Sequence, residues 1–332
     1  MRHFTRLTHN RLLLAAAVCT TFAALATCAT SALAAPFAYL TAQKDNAVVV
    51  IDLATQARVA TIAVGKAPVG IAVVDATARA YVTNADDGTV SVIDTAARRV
   101  IGLLHVTGGA VGIAAAVDGS RVYVNDWYKN TVVAFDGNSL AETGRIKVGR
   151  VPSGITLDDA GKRLYVANRD DNNIQIIDSA TLQTIGTVAT GHHPFGLALA
   201  PDGRTLYAVN VESNDVSVID VSDPARAKET IRLAVGDTPY CISVAPDGSK
   251  AYVTNQHADT ISVLDLQAMQ VVKKVAVGGY PEGVGFAPDG KRAYVVNWMD
   301  DNVTIIDPAD DKVLGYFDGG RNNRSVGKFI GK

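Results

Sequence analysis

The chain has 332 residues, with 31 Lys and Arg against 33 Asp and Glu, so its formal net charge at pH 7 is -2. Hydrophobic residues make up 48% of the sequence, which is enough to build a large buried core. A balanced charge without a basic run argues against general binding to nucleic acid or to anionic membranes, because both require clustered Lys and Arg.

Residues 1–34 have the pattern of a secretory signal peptide. Three arginines lie among the first 11 residues, an apolar run covers residues 12–26, and Ala32-Leu33-Ala34 forms a small-x-small cleavage motif. The apolar run is shorter than the roughly 20 residues of a transmembrane helix. We therefore predict export to the periplasm or the medium and a mature chain over residues 35–332. A lipoprotein carrying its lipid on Cys28 is the alternative.

Cleavage changes the charge and the cysteine content of the chain. Removing residues 1–34 removes three arginines and no acid, which leaves 28 basic and 33 acidic groups. Cys241 is then the single cysteine, so no internal disulfide can form. The mature chain is predicted to be mildly acidic and to be held together by its own core.

A sequence unit of about 42 residues repeats seven times in the mature chain. One tyrosine position recurs in every unit, and successive tyrosines are 42 residues apart except for one interval of 45. The seven are Tyr39, Tyr81, Tyr123, Tyr165, Tyr207, Tyr252 and Tyr294. A period of about 40 to 45 residues with several short strands is the signature of a β-propeller blade. The sequence predicts an all-β fold, a seven-bladed β-propeller, as a single domain.

Each repeat contains four predicted antiparallel strands. In the second repeat these cover residues 70–74, 79–84, 89–94 and 99–106, which are rich in β-branched residues and separated by Gly, Asp and Asn turns. Small residues recur in the first strand, so we expect it to be the innermost, where blades crowd together. An aspartate closes the third strand of every repeat, and we interpret it as a turn cap rather than a metal ligand.

The two ends of the chain are predicted to close the ring. The first repeat begins with a second strand at Phe37 and has no inner strand before it, whereas residues 326–330 align with the start of an inner strand. The C-terminal strand should therefore complete the first blade and remove two exposed sheet edges.

The repeat also resembles a known family. Tyr81-Val-Thr-Asn84 and Tyr252-Val-Thr-Asn255 are similar to the YVTN-type repeat of secreted bacterial and archaeal seven-bladed propellers, and the resemblance covers essentially all of the mature chain. It implies the fold but no single function, because similar propellers include surface-layer components, a nucleic-acid-binding periplasmic protein, proteins associated with quinone-dependent alcohol catabolism, lactonase-like enzymes and haem-binding domains of nitrite reductases.

The repeats differ from one another mainly at one end of the blades. We call this end the variable face; it consists of the loops between the second and third strands and the loops from each outer strand to the next inner strand. The opposite end, the Asp-Gly face, consists of repeated turns. Candidate ligand-binding residues on the variable face are Trp127, Trp298, His192, His193, Arg150 and Tyr280.

The two tryptophans occupy equivalent positions in the third and seventh repeats, nearly opposite each other in a seven-membered ring. We expect them to wall one pocket for a flat or apolar ligand, with the histidines and Arg150 supplying polar contacts. Each also has a structural interpretation: the tryptophans can cover gaps between blades, and the histidines and Arg150 can be solvated surface groups. Arg321 and Arg324 are further candidates for holding an anion, and Cys241 is expected to be a buried, inert thiol.

Motifs of covalent catalysis, phosphate binding, paired-cysteine metal binding and haem attachment are absent from the sequence. The sequence therefore favours a binding or scaffold module for a small molecule or a partner protein over an enzyme. It predicts no cofactor, no metal site and a monomer. A lactonase-like or lyase-like enzyme is the alternative, with His192, His193, Arg150 and Glu282 as its acid-base groups. A third hypothesis is single-stranded nucleic-acid binding through the tryptophans and arginines, which the acidic net charge disfavours.

Overall fold

The computed structural model describes residues 36–332. Seven antiparallel sheets follow one another along the chain, and the inner strand of each packs against the inner strand of the next. This arrangement is a seven-bladed β-propeller of four-stranded blades, as predicted. The blades are numbered 1 to 7 in chain order, and blade 1 contains the C-terminal strand.

The strands are short and evenly spaced. Those of blades 1 to 4 are β1 Phe37–Ala42, β2 Ala47–Asp52, β3 Ala57–Ala63, β4 Pro68–Val74, β5 Arg79–Asn84, β6 Thr89–Asp94, β7 Arg99–His105, β8 Ala110–Ala115, β9 Arg121–Asp126, β10 Thr131–Asp136, β11 Glu142–Lys147, β12 Pro152–Asp158, β13 Arg163–Asn168, β14 Asn173–Asp178 and β15 Gln183–Ala189. Those of blades 5 to 7 and the C-terminus are β16 Pro194–Leu199, β17 Thr205–Asn210, β18 Asp215–Asp220, β19 Lys228–Ala234, β20 Pro239–Val244, β21 Lys250–Asn255, β22 Thr260–Asp265, β23 Gln270–Ala276, β24 Pro281–Phe286, β25 Ala293–Asn297, β26 Asn302–Asp307, β27 Lys312–Asp318, β28 Val326–Lys328 and β29 Ile330–Gly331. Single 3-10 turns lie at Gln43–Asp45, Asp75–Thr77, Arg169–Asp171, Pro224–Arg226 and Gln256–Ala258.

The strand order within a blade follows from the burial of its residues. In blade 2 every residue of β4 is buried, whereas in β7 only Leu104 is buried and the others are exposed or partly buried. An added Cβ at Gly70 on β4 would collide with the backbone carbonyl of Val111 in blade 3, which shows how closely inner strands approach. The first strand of each repeat is therefore the innermost, as the small residues predicted.

The recurring tyrosines and aspartates have structural roles. All seven tyrosines are buried between blades. The Oδ1 atom of Asp94 accepts the backbone N–H groups of Ala96 and Ala97 at 3.0 and 2.8 Å, and the equivalent aspartate of every other blade accepts the N–H two residues further on. The interpretation of these acids as turn caps is confirmed.

The C-terminus closes the ring in two steps. Residues Ile330–Gly331 pair antiparallel with β1 in blade 1, and the N–H of Tyr39 donates to the Phe329 carbonyl at 2.9 Å. Just before this, Val326–Lys328 pairs in parallel with β4 of blade 2. The prediction that the C-terminal strand completes blade 1 is confirmed, but its first half joins the neighbouring blade, a fifth strand that the repeat pattern did not predict.

The predicted signal peptide, the cleavage site after Ala34 and the lipid-bearing Cys28 alternative lie outside the described residues and stay predictions. Within residues 36–332, no helix is long and apolar enough to cross a membrane.

Candidate functional site

Two rings of side chains surround the propeller axis at the variable face. In blades 2 to 7 the inner ring is formed by the residue that follows the start of the inner strand, and in blade 1 by Arg324, which lies just before β28. The outer ring is formed by the residue that follows the second strand. The inner ring, from blade 1 to blade 7, is Arg324, Val69, Val111, Ser153, Phe195, Tyr240 and Glu282. The outer ring is Gln43, Ala85, Trp127, Arg169, Val211, Gln256 and Trp298.

A cavity of about 120 Å³ lies at this mouth. Its lining comes from five different blades, which places it close to the axis. The lining residues are Gln43, Val69, Ala85, Gly109, Val111, Trp127, Tyr128, Phe195, Tyr240 and Arg324.

Aromatic side chains form one wall of the cavity. The rings of Phe195 and Tyr240 stack with their centroids 4.0 Å apart and an interplanar angle of 23°. Trp127 tilts against Phe195 at 6.4 Å and 56°. Such pairs are each worth about 0.5–1.5 kcal/mol beyond area burial, so the wall is held rigidly.

Arg324, which lines the cavity, forms an ion pair with the buried Glu282 next to this wall. The Nη2 atom of Arg324 donates to Oε1 of Glu282 at 3.0 Å and to the Tyr240 hydroxyl at 2.8 Å, while Nε donates to Oε2 of Glu282. Gln256 Nε2 also donates to Oε1 of Glu282, at 3.2 Å. Glu282 is 2% exposed, and burial raises the pKa of its carboxyl while the Arg324 guanidinium opposes that rise. A charge buried to this degree requires such pairing.

The predicted site residues are distributed over three places. Trp127 lines the cavity. Trp298 stacks obliquely on Tyr280 with centroids 5.5 Å apart, and its Nε1 donates to Gln43 Oε1 at 3.4 Å. Because Gln43 lines the cavity, Trp298 and Tyr280 stand beside it without lining it. The two tryptophans therefore do not face each other across one pocket.

The three other candidates lie on loops away from the cavity lining. Arg150 forms an exposed ion pair with Asp171, with Nε 2.6 Å from Oδ1. His192 is exposed. His193 Nδ1 lies 2.6 Å from Glu212 Oε1, although the angle is too poor for a hydrogen bond. Arg321 likewise pairs with an acid, Asp45.

A repeated hydrogen bond fixes the loops that carry these residues. At six of the seven blade junctions, an Asn or Asp with positive φ on one blade accepts a hydrogen bond through its Oδ1 atom. The donor is the backbone N–H of a residue, also with positive φ, in the loop that enters the next blade. The pairs, with the acceptor first, are Asn46 and Ala67, Asn130 and Val151, Asn172 and His193, Asn214 and Thr238, Asp259 and Tyr280, and Asp301 and Asn322. Blade 2 has Gly88 at this position, so the loop carrying Gly109 at the cavity edge lacks this bond.

Sequence reasoning missed two residues of the cavity wall, Phe195 and Tyr240. Each follows a proline at the start of an inner strand and reads as an ordinary core residue. The available signal was the variation at that position, where two blades carry valine and the others carry chemically different side chains. From the sequence, Glu282 is a candidate acid-base group and Arg324 a candidate anion contact; the structure pairs the two side chains.

Other features of the described chain carry less chemistry. Cys241 is buried and burial raises the pKa of its thiol, which agrees with the expected inert role. No cluster of three or more metal-ligating side chains occurs within residues 36–332.

A larger cavity of about 380 Å³ lies on the Asp-Gly face between blades 4 and 5. Two carboxylates of its lining are hydrogen-bonded within their own turns: Asp158 accepts from the Gly161 N–H at 2.8 Å, and Asp202 accepts from the Arg204 N–H at 2.9 Å. We interpret it as a groove between turns.

Comparisons with known proteins agree with this fold. The family model described as "YNCE-like beta-propeller" matches residues 6–329, whereas no functionally curated protein matches the sequence. A functionally unknown protein from Desulfotomaculum acetoxidans DSM 771 superimposes with a TM-score of 0.79 at 15% identity, covering 88% of this chain and 98% of that one. Hydrazine synthase from Kuenenia stuttgartiensis superimposes with a TM-score of 0.69 at 21% identity, covering 77% and 87%. At these identities the structural similarity shows the fold alone. The chain belongs to the YNCE-like β-propeller family.

Proposed function

We propose that the protein is a periplasmic or secreted binding or scaffold module that holds a small molecule, or a side chain of a partner protein, in the mouth of the variable face. The observation that carries this proposal is the convergence of aromatic side chains from different blades on one cavity, next to the ion pair of Arg324 with the buried Glu282. A concave, mostly apolar site with a few convergent polar groups is the usual form of a small-molecule site.

The fold does not require these side chains. Blades 2 and 3 place valine at the inner-ring position that carries Phe195, Tyr240 and Glu282 elsewhere. A buried ion pair contributes little net stability compared with apolar packing. Its presence at the mouth of the variable face is therefore better explained by contact with a ligand than by folding. The aromatic wall and the pair together support a ligand contact.

The enzyme alternative, a lactonase or lyase, has weaker support. Of its acid-base groups, His192, His193 and Arg150 stand outside the cavity lining, and Glu282 is bound to Arg324. Binding of single-stranded nucleic acid is likewise weakly supported, because Trp127 and Trp298 do not form one stacking surface and the exposed arginines 150 and 321 are paired with acids.

The test is a thermal-shift and native mass spectrometry screen of the purified protein against small aromatic and aliphatic compounds. Ala85 lines the cavity, so Ala85→Phe should fill it without removing a wall residue. Asp202→Ala on the Asp-Gly face is the control. We expect binding to the parent and to the control variant, and its loss in Ala85→Phe. Equal binding by both variants would place the site elsewhere.

A further inference from the structure

We propose that the mouth cavity selects a small aryl carboxylate, with the aromatic ring against the wall of Trp127, Phe195 and Tyr240 and the carboxylate on Arg324. This inference rests on the proposed function and assigns the chemical class of its ligand. It follows from the size of the cavity and from the kind of polar group that its lining leaves free.

The volume of the cavity matches one aromatic ring. Cavities of about 150 Å³ lined by apolar side chains bind benzene, and this one measures about 120 Å³ and is open to solvent at the mouth. Val69, Val111 and Ala85 supply the aliphatic part of its lining. A planar ring fits in this cavity, and its substituents can extend towards solvent.

Arg324 is the one charged residue in the cavity lining. Its Nε and Nη2 atoms donate to Glu282 and Tyr240. Its Nη1 atom has no hydrogen-bond partner among residues 36–332. A guanidinium carries five N–H donors, so two of them remain for a ligand. Glu282 does not line the cavity, so a ligand meets the positive partner of the pair.

Gln43 supplies a second free donor. Indole Nε1 of Trp298 is only a donor, so its contact with Gln43 fixes the amide oxygen of Gln43 on Trp298. The amide nitrogen of Gln43 is then left without a hydrogen bond within the described chain. The free nitrogens of Arg324 and Gln43 are therefore donors, and a ligand that pairs with both must bring acceptors.

A carboxylate satisfies these donors better than a neutral or cationic group. Charge-assisted hydrogen bonds from Arg are about twice as strong as neutral ones, and the planar guanidinium matches carboxylate geometry. A cation would instead meet Arg324, whose guanidinium carbon lies 5.9 Å from the centroid of the Tyr240 ring. Glu282 partly offsets the attraction for an anion, so the preference for a carboxylate should be moderate.

The experiment compares benzoate with benzyl alcohol, a neutral compound of similar shape, by isothermal titration calorimetry and tryptophan fluorescence. In the parent protein benzoate should bind about tenfold more tightly, which corresponds to about 1.4 kcal/mol. The double variant Arg324→Gln with Glu282→Gln avoids an unpaired buried charge. It should lose most of this tenfold preference while binding benzyl alcohol within twofold of the parent.

Two further variants keep the test decisive. Gln43→Leu leaves the ion pair intact and should weaken benzoate about threefold without affecting benzyl alcohol, which covers the case that the double variant fails to fold. Ala85→Phe should abolish binding of both compounds. Binding of benzyl alcohol as tight as that of benzoate would overturn the ligand class and leave the proposed site standing. Absence of binding by either compound would overturn the ligand class. The small-molecule form of the proposed function would fall only if the broader compound screen also found no ligand that Ala85→Phe loses.

Discussion

Ring closure by the C-terminus should account for a measurable part of the stability of the propeller. Phe329 is 1% exposed and packs in the core shared by blades 1, 2 and 7. The carbonyl of the same residue accepts the N–H of Tyr39. The perturbation that isolates the side chain is Phe329→Ala, since it leaves the backbone pairing in place.

The expected magnitude follows from the burial. Truncating a fully buried Phe to Ala costs about 3–5 kcal/mol through lost transfer energy and the cavity that remains. In a domain of this size 1 kcal/mol lowers the melting temperature by about 2 °C, so Phe329→Ala should melt about 6–10 °C below the parent. Tyr316→Ala is the matched control, because Tyr316 is an aromatic residue on the outer strand β27 and is 51% exposed. It should melt within about 1 °C of the parent.

Urea denaturation and thermal melting, both followed by circular dichroism, measure these changes. Equal melting temperatures for the two variants would contradict this role, because Phe329 would then contribute no more to stability than a surface residue. A change in the urea m-value would instead indicate altered compactness of the unfolded or native state, or loss of two-state unfolding.

Three other predictions concern the N-terminus, the blade junctions and pH. The intact mass of the exported protein should begin at Ala35, whereas a lipidated species beginning at Cys28 would establish the alternative. Asn172→Ala should cost about 1–2 kcal/mol in urea denaturation, because it removes the hydrogen bond to the His193 N–H and places Ala at positive φ; unchanged stability would contradict the junction role. The N–H of Thr181 lowers the pKa of Asp178, so this stabilisation is present above pH about 4 and is lost as the carboxylate protonates at lower pH. Between pH 5 and about 2, the melting temperature of Asp178→Asn should therefore fall less than that of the parent. An equal fall in the two proteins would contradict this prediction.

The fold could be predicted almost completely because it repeats. One unit, occurring seven times, shows both the strands and the turns, and comparison between units separates structural from variable positions. The parallel strand Val326–Lys328 was missed because the C-terminal segment is longer than an inner strand. Its additional residues pair with β4 of blade 2. No other repeat contains an equivalent segment, so comparison between repeats could not predict this strand.

The site was predictable only in part. Trp127 interrupts the repeat with a large aromatic residue on a loop, so it was recognised. Phe195 and Tyr240 begin buried strands, where aromatic residues are common, and only the ring geometry brings them together. The pairing of Arg150 with Asp171 joins two loops 21 residues apart, which local sequence does not reveal.

Crystals soaked with a set of small aromatic fragments would show directly whether the mouth cavity is the ligand site. We expect fragment density in the mouth cavity against Trp127, Phe195 and Tyr240, and none in the groove between blades 4 and 5 on the Asp-Gly face. Density confined to that groove, with a vacant mouth, would contradict this expectation.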